Sequence, residues 1–178
     1  MAKSIFEAEL LCPAKQDKQS PWYFVILPKA VSDTLSRRGR VTIKLLINQS
    51  QFQTLAEPDG QLSHWFKLSA ELCSKLEMKT GEILQIELVQ LDEEPEPVIP
   101  EDFWQALSQD NEAKLVWDST TTIAKLDWIH WVESAKQTKT RLSRIDKACD
   151  MLNQGKKRVC CFDSSGFYSK SLSAPKAV

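Results

Sequence analysis

The 178-residue chain has only two histidines and five glycines, and no uninterrupted apolar run approaches the ~18 residues of a membrane span. The absence of such a run argues against a spanning helix. The stretch Met1-Ala2-Lys3-Ser4-Ile5-Phe6-Glu7-Ala8-Glu9 places acids where a signal peptide keeps its apolar region, so the cytoplasm is the expected location. The five cysteines, Cys12, Cys73, Cys149, Cys160 and Cys161, are irregularly spaced and form no Cys-x-x-Cys pair, which speaks for reduced thiols rather than a secreted disulfide framework. With His64 and His130 as the only imidazoles, no Cys/His cluster has zinc spacing, and neither a metal nor a cofactor is expected. Paired carboxylates, a phosphate-binding glycine loop, a cofactor fingerprint and a nucleophile with an oriented base are all missing as readable motifs. The expectation is a protein that is not an enzyme.

What the chain does have is an uneven charge distribution beneath a net charge of −1. Residues 87–127 carry eleven acids against two bases, whereas residues 130–178 carry ten bases against four acids. Such asymmetry means either an internal electrostatic docking or a basic surface for an anionic partner. At 42% hydrophobic residues, the chain has enough apolar material for a real core.

Hydrophobic periodicity divides the chain. Alternating, β-branched segments at Ser4–Leu11, Trp22–Leu27, Arg40–Ile47, Phe52–Leu55, Leu62–Leu68 and Glu82–Leu91 predict six strands. Asn48-Gln49-Ser50 suits a tight hairpin, Glu57-Pro58-Asp59-Gly60 a proline-started turn, and Lys79-Thr80-Gly81 a helix stop. Short helices are predicted over Pro28–Leu35 and over Ser69–Met78, the latter with Ser69 as N-cap and Leu72, Cys73 and Leu76 on the face that plugs the sheet. The fold class read from this order is α+β: a small β-barrel with short capping helices over residues 1–91, then an all-α domain. The acidic, triple-proline segment 92–100 reads as a stiff linker between them.

Beyond the linker the period becomes 3.6, and residues 101–158 read as a helical domain. On a wheel begun at Ile123, the residues Trp131, Ala124, Ala135, Trp128, Val132 and Ile129 cover an arc of roughly 160°, so this helix is expected to be central. In the helix that follows, Leu142, Ile145, Cys149 and Leu152 share one face, with Arg141, Arg144 and Lys147 on one flank and Asp146 and Asp150 on the other. Residues 159–178 read as a short hairpin and a disordered tail.

Lys136, Thr140, Arg141, Arg144 and Lys147 are the candidate anion- or partner-binding residues. Guanidinium forks near a helix N-terminus suit phosphate or carboxylate, and Thr138 or Thr140 is placed to cap the helix. The alternative is a solvated face, or one docked on the acidic linker. Trp128 and Trp131, at helical spacing, read as core rather than as stacking platforms, and Trp65 as the better exposed aromatic. Cys160 and Cys161, beside Lys156-Lys157-Arg158, are the candidate redox pair, against the plainer reading of one inward and one outward thiol on a strand.

Several segments together resemble a known helical domain: Asp102-Phe103-Trp104-Gln105-Ala106-Leu107, Trp128-Ile129-His130-Trp131-Val132, Ala135-Lys136, Thr140-Arg141, Arg144-Ile145 and Gly155-Lys156. That domain is the one called bacteriocin-protection, YdeI or OmpD-associated. The first domain, through Phe24-Val25-Ile26-Leu27-Pro28, Gly39-Arg40-Val41, Trp65-Phe66-Lys67-Leu68 and Thr80-Gly81-Glu82-Ile83-Leu84, is similar to DUF1905, a barrel family of unknown function often fused to that helical domain. The resemblance implies a double-split barrel like those of AbrB-type regulators and antitoxins, a bacterial protein of antimicrobial or envelope stress tolerance, and no catalytic residue.

Three function classes follow. The first is a binding protein whose basic helical face engages an acidic protein or an anionic ligand. The second is a nucleic-acid-binding regulator acting through the AbrB-like barrel, disfavoured because that half carries a net charge of only +2. The third is an enzyme with an interdomain site. A homodimer is suggested by analogy with related barrels alone.

Overall fold

The computed structural model describes residues 2–178. They form two compact units, one of residues 2–93 together with Ser165–Val178, the other of Glu94–Ser164.

The first unit is a curled antiparallel sheet of β1 (Lys3–Glu9), β2 (Trp22–Ile26), β3 (Val41–Ile47), β4 (Ser50–Pro58), β5 (His64–Ser69) and β6 (Ile83–Gln90), in the order β1-β6-β3-β4-β5-β2. Beyond the end of β1, Leu11 exchanges two backbone hydrogen bonds with Phe24 of β2, at 2.9 and 3.0 Å, which ties the two outermost strands together. Alternation explains the core: Val41, Ile43, Leu45 and Ile47 of β3 point inward with Leu84, Ile86 and Leu88 of β6 and with Phe66 and Leu68 of β5. The β3–β4 hairpin turns at Asn48 and Gln49, with φ of 47° and 65°, the double left-handed conformation of a two-residue turn that matches strand twist.

Two short helices cover this core, α1 (Lys29–Ser32) through Val31 and α2 (Ala70–Lys75) through Cys73, with Leu76 beside it. Ser69 caps α2 by accepting from the Leu72 amide at 3.1 Å. The helix does not stop at Lys79-Thr80-Gly81 as the glycine suggests. Glu77, at φ 56°, takes the left-handed position, while Met78 N–H returns to the Cys73 carbonyl and Glu77 N–H to that of Ser74, a Schellman closure built without glycine. Gly81, at φ 85°, shapes the later turn, where its N–H reaches the Leu10 carbonyl.

The C-terminal segment is neither a hairpin nor a detached tail. Residues 159–168 form turns, and the chain then lies along the sheet unit: Ala14 N–H donates to the Lys176 carbonyl at 2.7 Å, Val178 N–H to that of Cys12, and Ala174 N–H to that of Asp59. Gly60 and Gly166 make room for Leu172, since a Cβ on Gly60 would fall 2.1 Å from the Leu172 carbonyl oxygen.

The second unit holds α3 (Glu101–Ser108), α4 (Asn111–Asp118), α5 (Thr122–Glu133) and α6 (Thr138–Asn153). Asp110 and Thr121 cap α4 and α5 by accepting from the Ala113 and Ala124 amides. Its core joins Phe103, Leu107, Trp117, Trp128, Ile129, Val132, Ile145, Ala148, Cys149 and Leu152. Helix α5 is largely buried, Lys125 and His130 included, although Ile123 is exposed and Trp131 and Ala135 are only half-buried. It is not the central helix its wide apolar arc predicts, because the helix that packs on each of the other three is α6. Leu142, placed by its spacing on the seam of α6, is instead exposed, and Ala148 takes the inward position with Ile145, Cys149 and Leu152.

Candidate functional site

The residues proposed from sequence as one basic site fall into two groups. Arg141 and Arg144 turn toward their own unit. Arg141 forms a bidentate pair with Asp102 at the start of α3, Nε to Oδ2 at 2.7 Å and Nη2 to Oδ1 at 2.9 Å. The guanidinium holds the Asp102 carboxyl below the ordinary carboxylate range, and Asp102 in turn raises Arg141. Arg144 donates to the Trp131 carbonyl at 2.6 Å and to Ser134 Oγ at 2.9 Å, with its guanidinium carbon 5.4 Å from the Trp131 ring centre. It thereby satisfies a carbonyl that the end of α5 leaves open, where the helix dipole also favours a cation.

Lys136, Thr140 and Lys147 point outward instead, with Lys139 beside them. Among the described residues these lysines enter no ion pair, and neither do the exposed Lys156, Lys157 and Arg158 after α6. The outward face of α6 also carries exposed Asp146 and Asp150, so it is mixed rather than purely basic. Thr138 and Thr140 do not cap α6, because the N-cap position is Gln137 and its side chain makes no capping bond. Of the linker acids, Glu96 is held by Lys125 Nζ at 2.6 Å, with Thr122 Oγ1 at 3.5 Å, and so is engaged away from this face.

Cys160 and Cys161 do not alternate across a strand. Both are exposed in a turn, Cys161 at φ 62°, with their Sγ atoms 3.2 Å apart. The neighbouring sulfur raises Cys161, and Lys156 opposes it. Trp128 is fully buried and donates Nε1–H to the Lys157 carbonyl at 3.2 Å, so it is core as its spacing predicts. Trp65 is half-buried in a triad with Trp22 and Phe24, ring centres 6.1–6.3 Å apart, and its Nε1–H is buried without a partner. Lys67 lies 4.7 Å over the Trp22 ring.

Sequence reasoning finds no nucleophile for His64, yet Ser32 Oγ lies 2.7 Å from His64 Nδ1. The other ring nitrogen, Nε2, faces the Gly39 carbonyl at 2.9 Å. A carbonyl only accepts, so Nε2 carries the proton and Nδ1 accepts from the serine hydroxyl. Burial lowers the imidazole's pKa, and the Gly39 carbonyl partly opposes this. With Ser32 1% and His64 0% exposed, the pair is a buried strut out of a substrate's reach. No local signal announces it, because the partners lie 32 positions apart.

The sheet unit has surface cavities of appreciable size. One of about 510 Å³ lies between Pro13, Lys15 and Trp22 and the C-terminal residues Ala174, Pro175 and Lys176. Another, of about 310 Å³, lies near Ile5, Asn48 and Glu87, where Lys3 pairs with Glu87 at 2.8 Å. Among the described residues no group of three or more His, Cys, Asp or Glu side chains is arranged to hold a metal ion. No described helix is long and apolar enough to cross a membrane.

Residues 6–88 match the family described as a domain of unknown function, DUF1905. Residues 96–155 match the family described as Bacteriocin-protection, YdeI or OmpD-Associated. No curated protein matches the chain.

Proposed function

From a chain that carries a DUF1905 domain followed by a YdeI/OmpD-associated domain, we propose a cytoplasmic protection protein that works by binding an acidic partner rather than by turnover. The exposed lysines around α6 are its contact residues. The observation that carries this reading is the division of labour among the cations. Arg141 and Arg144 are consumed inside the helical unit, whereas Lys136, Lys139 and Lys147 stand exposed and unpaired. A cation that stabilises nothing internally is available to an anionic surface, and long lysine stems with mobile heads suit a surface recognised by charge more than by shape. The family description supplies the context of bacteriocin protection. The sheet unit, read in finer detail as a double-split-type barrel tied at Leu11 and Phe24, serves as the scaffold.

The test is survival of bacteriocin-sensitive cells expressing the wild-type chain or the Lys136→Glu/Lys139→Glu/Lys147→Glu variant. The expected result is protection by the wild type and its loss in the triple variant at an unchanged melting temperature. Equal protection by both chains refutes the lysine face, and no protection by either refutes the protective role.

A further inference from the structure

We propose that Cys160 and Cys161 form a reversible disulfide between adjacent residues, making the turn after α6 a site of thiol oxidation.

Of the five cysteines, Cys73 and Cys149 are buried, and burial pushes each up to about 11, which leaves almost no thiolate near neutrality. Cys12 is half-buried. Cys160 and Cys161 alone are both exposed and mutually in contact, with sulfurs 3.2 Å apart, so closure to the ~2.05 Å of a disulfide needs a movement of about 1 Å. The turn already holds the side chains on one side: Cys161 adopts the left-handed φ of 62°, whereas an extended strand would point the two thiols apart. Lys156, Lys157 and Arg158, all exposed, precede the pair and give an anionic oxidant a basic approach, and Lys156 opposes the rise that the neighbouring sulfur imposes on Cys161.

Adjacent Cα atoms stand ~3.8 Å apart, below the 4.4–6.8 Å at which disulfides are unstrained, so the closed ring is easily reduced. Strained, exposed disulfides are the labile and regulatory ones, which suits reversal by a reducing thiol pool. The oxidant is a small disulfide such as oxidised glutathione. The Cys160 thiolate attacks one of its sulfurs, forming a mixed disulfide and releasing one glutathione thiolate. The Cys161 thiolate then attacks the Cys160 sulfur and releases the second. Two protein thiols lose two electrons, the oxidant is reduced to two glutathione molecules, and these take up the two protons.

The experiment equilibrates the reduced full chain in buffers of varied reduced-to-oxidised glutathione ratio, quenches with acid, alkylates after denaturation and maps the products by mass. The expected result is loss of two hydrogens confined to the peptide bearing Cys160 and Cys161, reversed by dithiothreitol. In Cys161→Ser, glutathione should instead remain attached at Cys160. Both thiols staying alkylatable in the most oxidising buffer, or a wild type that stops at a glutathione adduct without losing the two hydrogens, overturns the proposal.

Discussion

The two units fasten themselves with different chemistry. In the sheet unit the polar ties include buried or nearly buried ones, Ser32 to His64 to the Gly39 carbonyl and Arg40 Nε to Glu57 at 2.9 Å, beside exposed ion pairs such as Lys3 with Glu87 and Arg38 with Asp33. In the helical unit they are ion pairs facing partly into water, Arg141 with Asp102 at 29% and 40% side-chain exposure, and Lys125 with a largely exposed Glu96. The cause lies in the backbone. A strand's hydrogen bonds join it to its neighbours, so the ladders themselves set the sheet's geometry and polar side chains only close gaps. A helix spends its hydrogen bonds internally, so the arrangement of α3, α5 and α6 depends on packing and on side chains that reach from one helix to the next. Arg141 and Arg144 supply that reach, and Lys125 ties α5 to the segment that precedes α3.

The largest effect comes from the helical core. Trp128→Ala removes a fully buried ring that touches Trp131 and donates to the Lys157 carbonyl, and it should cost about 3–5 kcal/mol in denaturant unfolding. Hydrogen exchange should show the loss in α5 and α6. A cost confined below 1 kcal/mol would mean that packing, the first of the two fasteners, is not what holds these helices.

In the sheet unit, Ser32→Ala leaves the buried His64 Nδ1 without its donor and should cost about 1–3 kcal/mol. The same histidine distinguishes the units by pH. Burial holds the folded pKa of His64 below its ordinary 6.5, so as pH falls from about 6.5 the unfolded chain takes up the proton first. Stability contributed by the neutral imidazole is therefore lost between 6.5 and the folded value, and no further below it. Asp102 behaves oppositely in origin. Arg141 holds its folded pKa below 3.8, so that contribution is intact above 3.8 and is lost only as pH falls through the folded value. Wild type and His64→Gln, melted across pH 4.5–7.5, should differ in slope below 6.5; parallel curves would remove His64 as the cause.

What was legible in the sequence was local. The six strands and the Asn48-Gln49 and Gly60 turns follow from alternation and turn residues within a few positions, and the burial of Trp128, Ile129 and Val132 in α5 from their shared arc. What was not legible depends on pairs far apart. Ser32 meets His64 across 32 positions, Asp102 meets Arg141 across 39, and the segment ending at Val178 returns to Cys12. No period of 2 or 3.6 encodes these contacts. Glu77 misled for another reason: a left-handed helix stop is usually glycine, and here a glutamate accepts the strain. The basic face was half legible, since the wheel sorts residues by angle but does not show which cations an acid on another helix will claim.

That last point can be measured. Arg141→Ala should cost roughly 1 kcal/mol, because the pair with Asp102 is bidentate yet about a third exposed, and screening by water and salt removes most of its Coulomb energy. A double-mutant cycle with Asp102→Asn isolates the pairwise part, which should shrink as salt rises. A zero coupling energy at low salt would return Arg141 to the pool of cations open to a partner.

The smallest effect tests the face assignment of α6 itself. Leu142 has the spacing of a seam residue with Ile145, Cys149 and Leu152, but at 52% exposure it contributes little burial. Leu142→Ala should change unfolding free energy by less than about 0.5 kcal/mol, as surface changes do, and helix propensity even favours alanine slightly. The reason is positional: Leu142 lies in the first turns of α6, where Arg141 turns inward to Asp102 and the helix presents its next residue to solvent. A cost of about 2 kcal/mol or more would place Leu142 in a packed surface, and the lysines on the same helix would then border an apolar contact rather than open water.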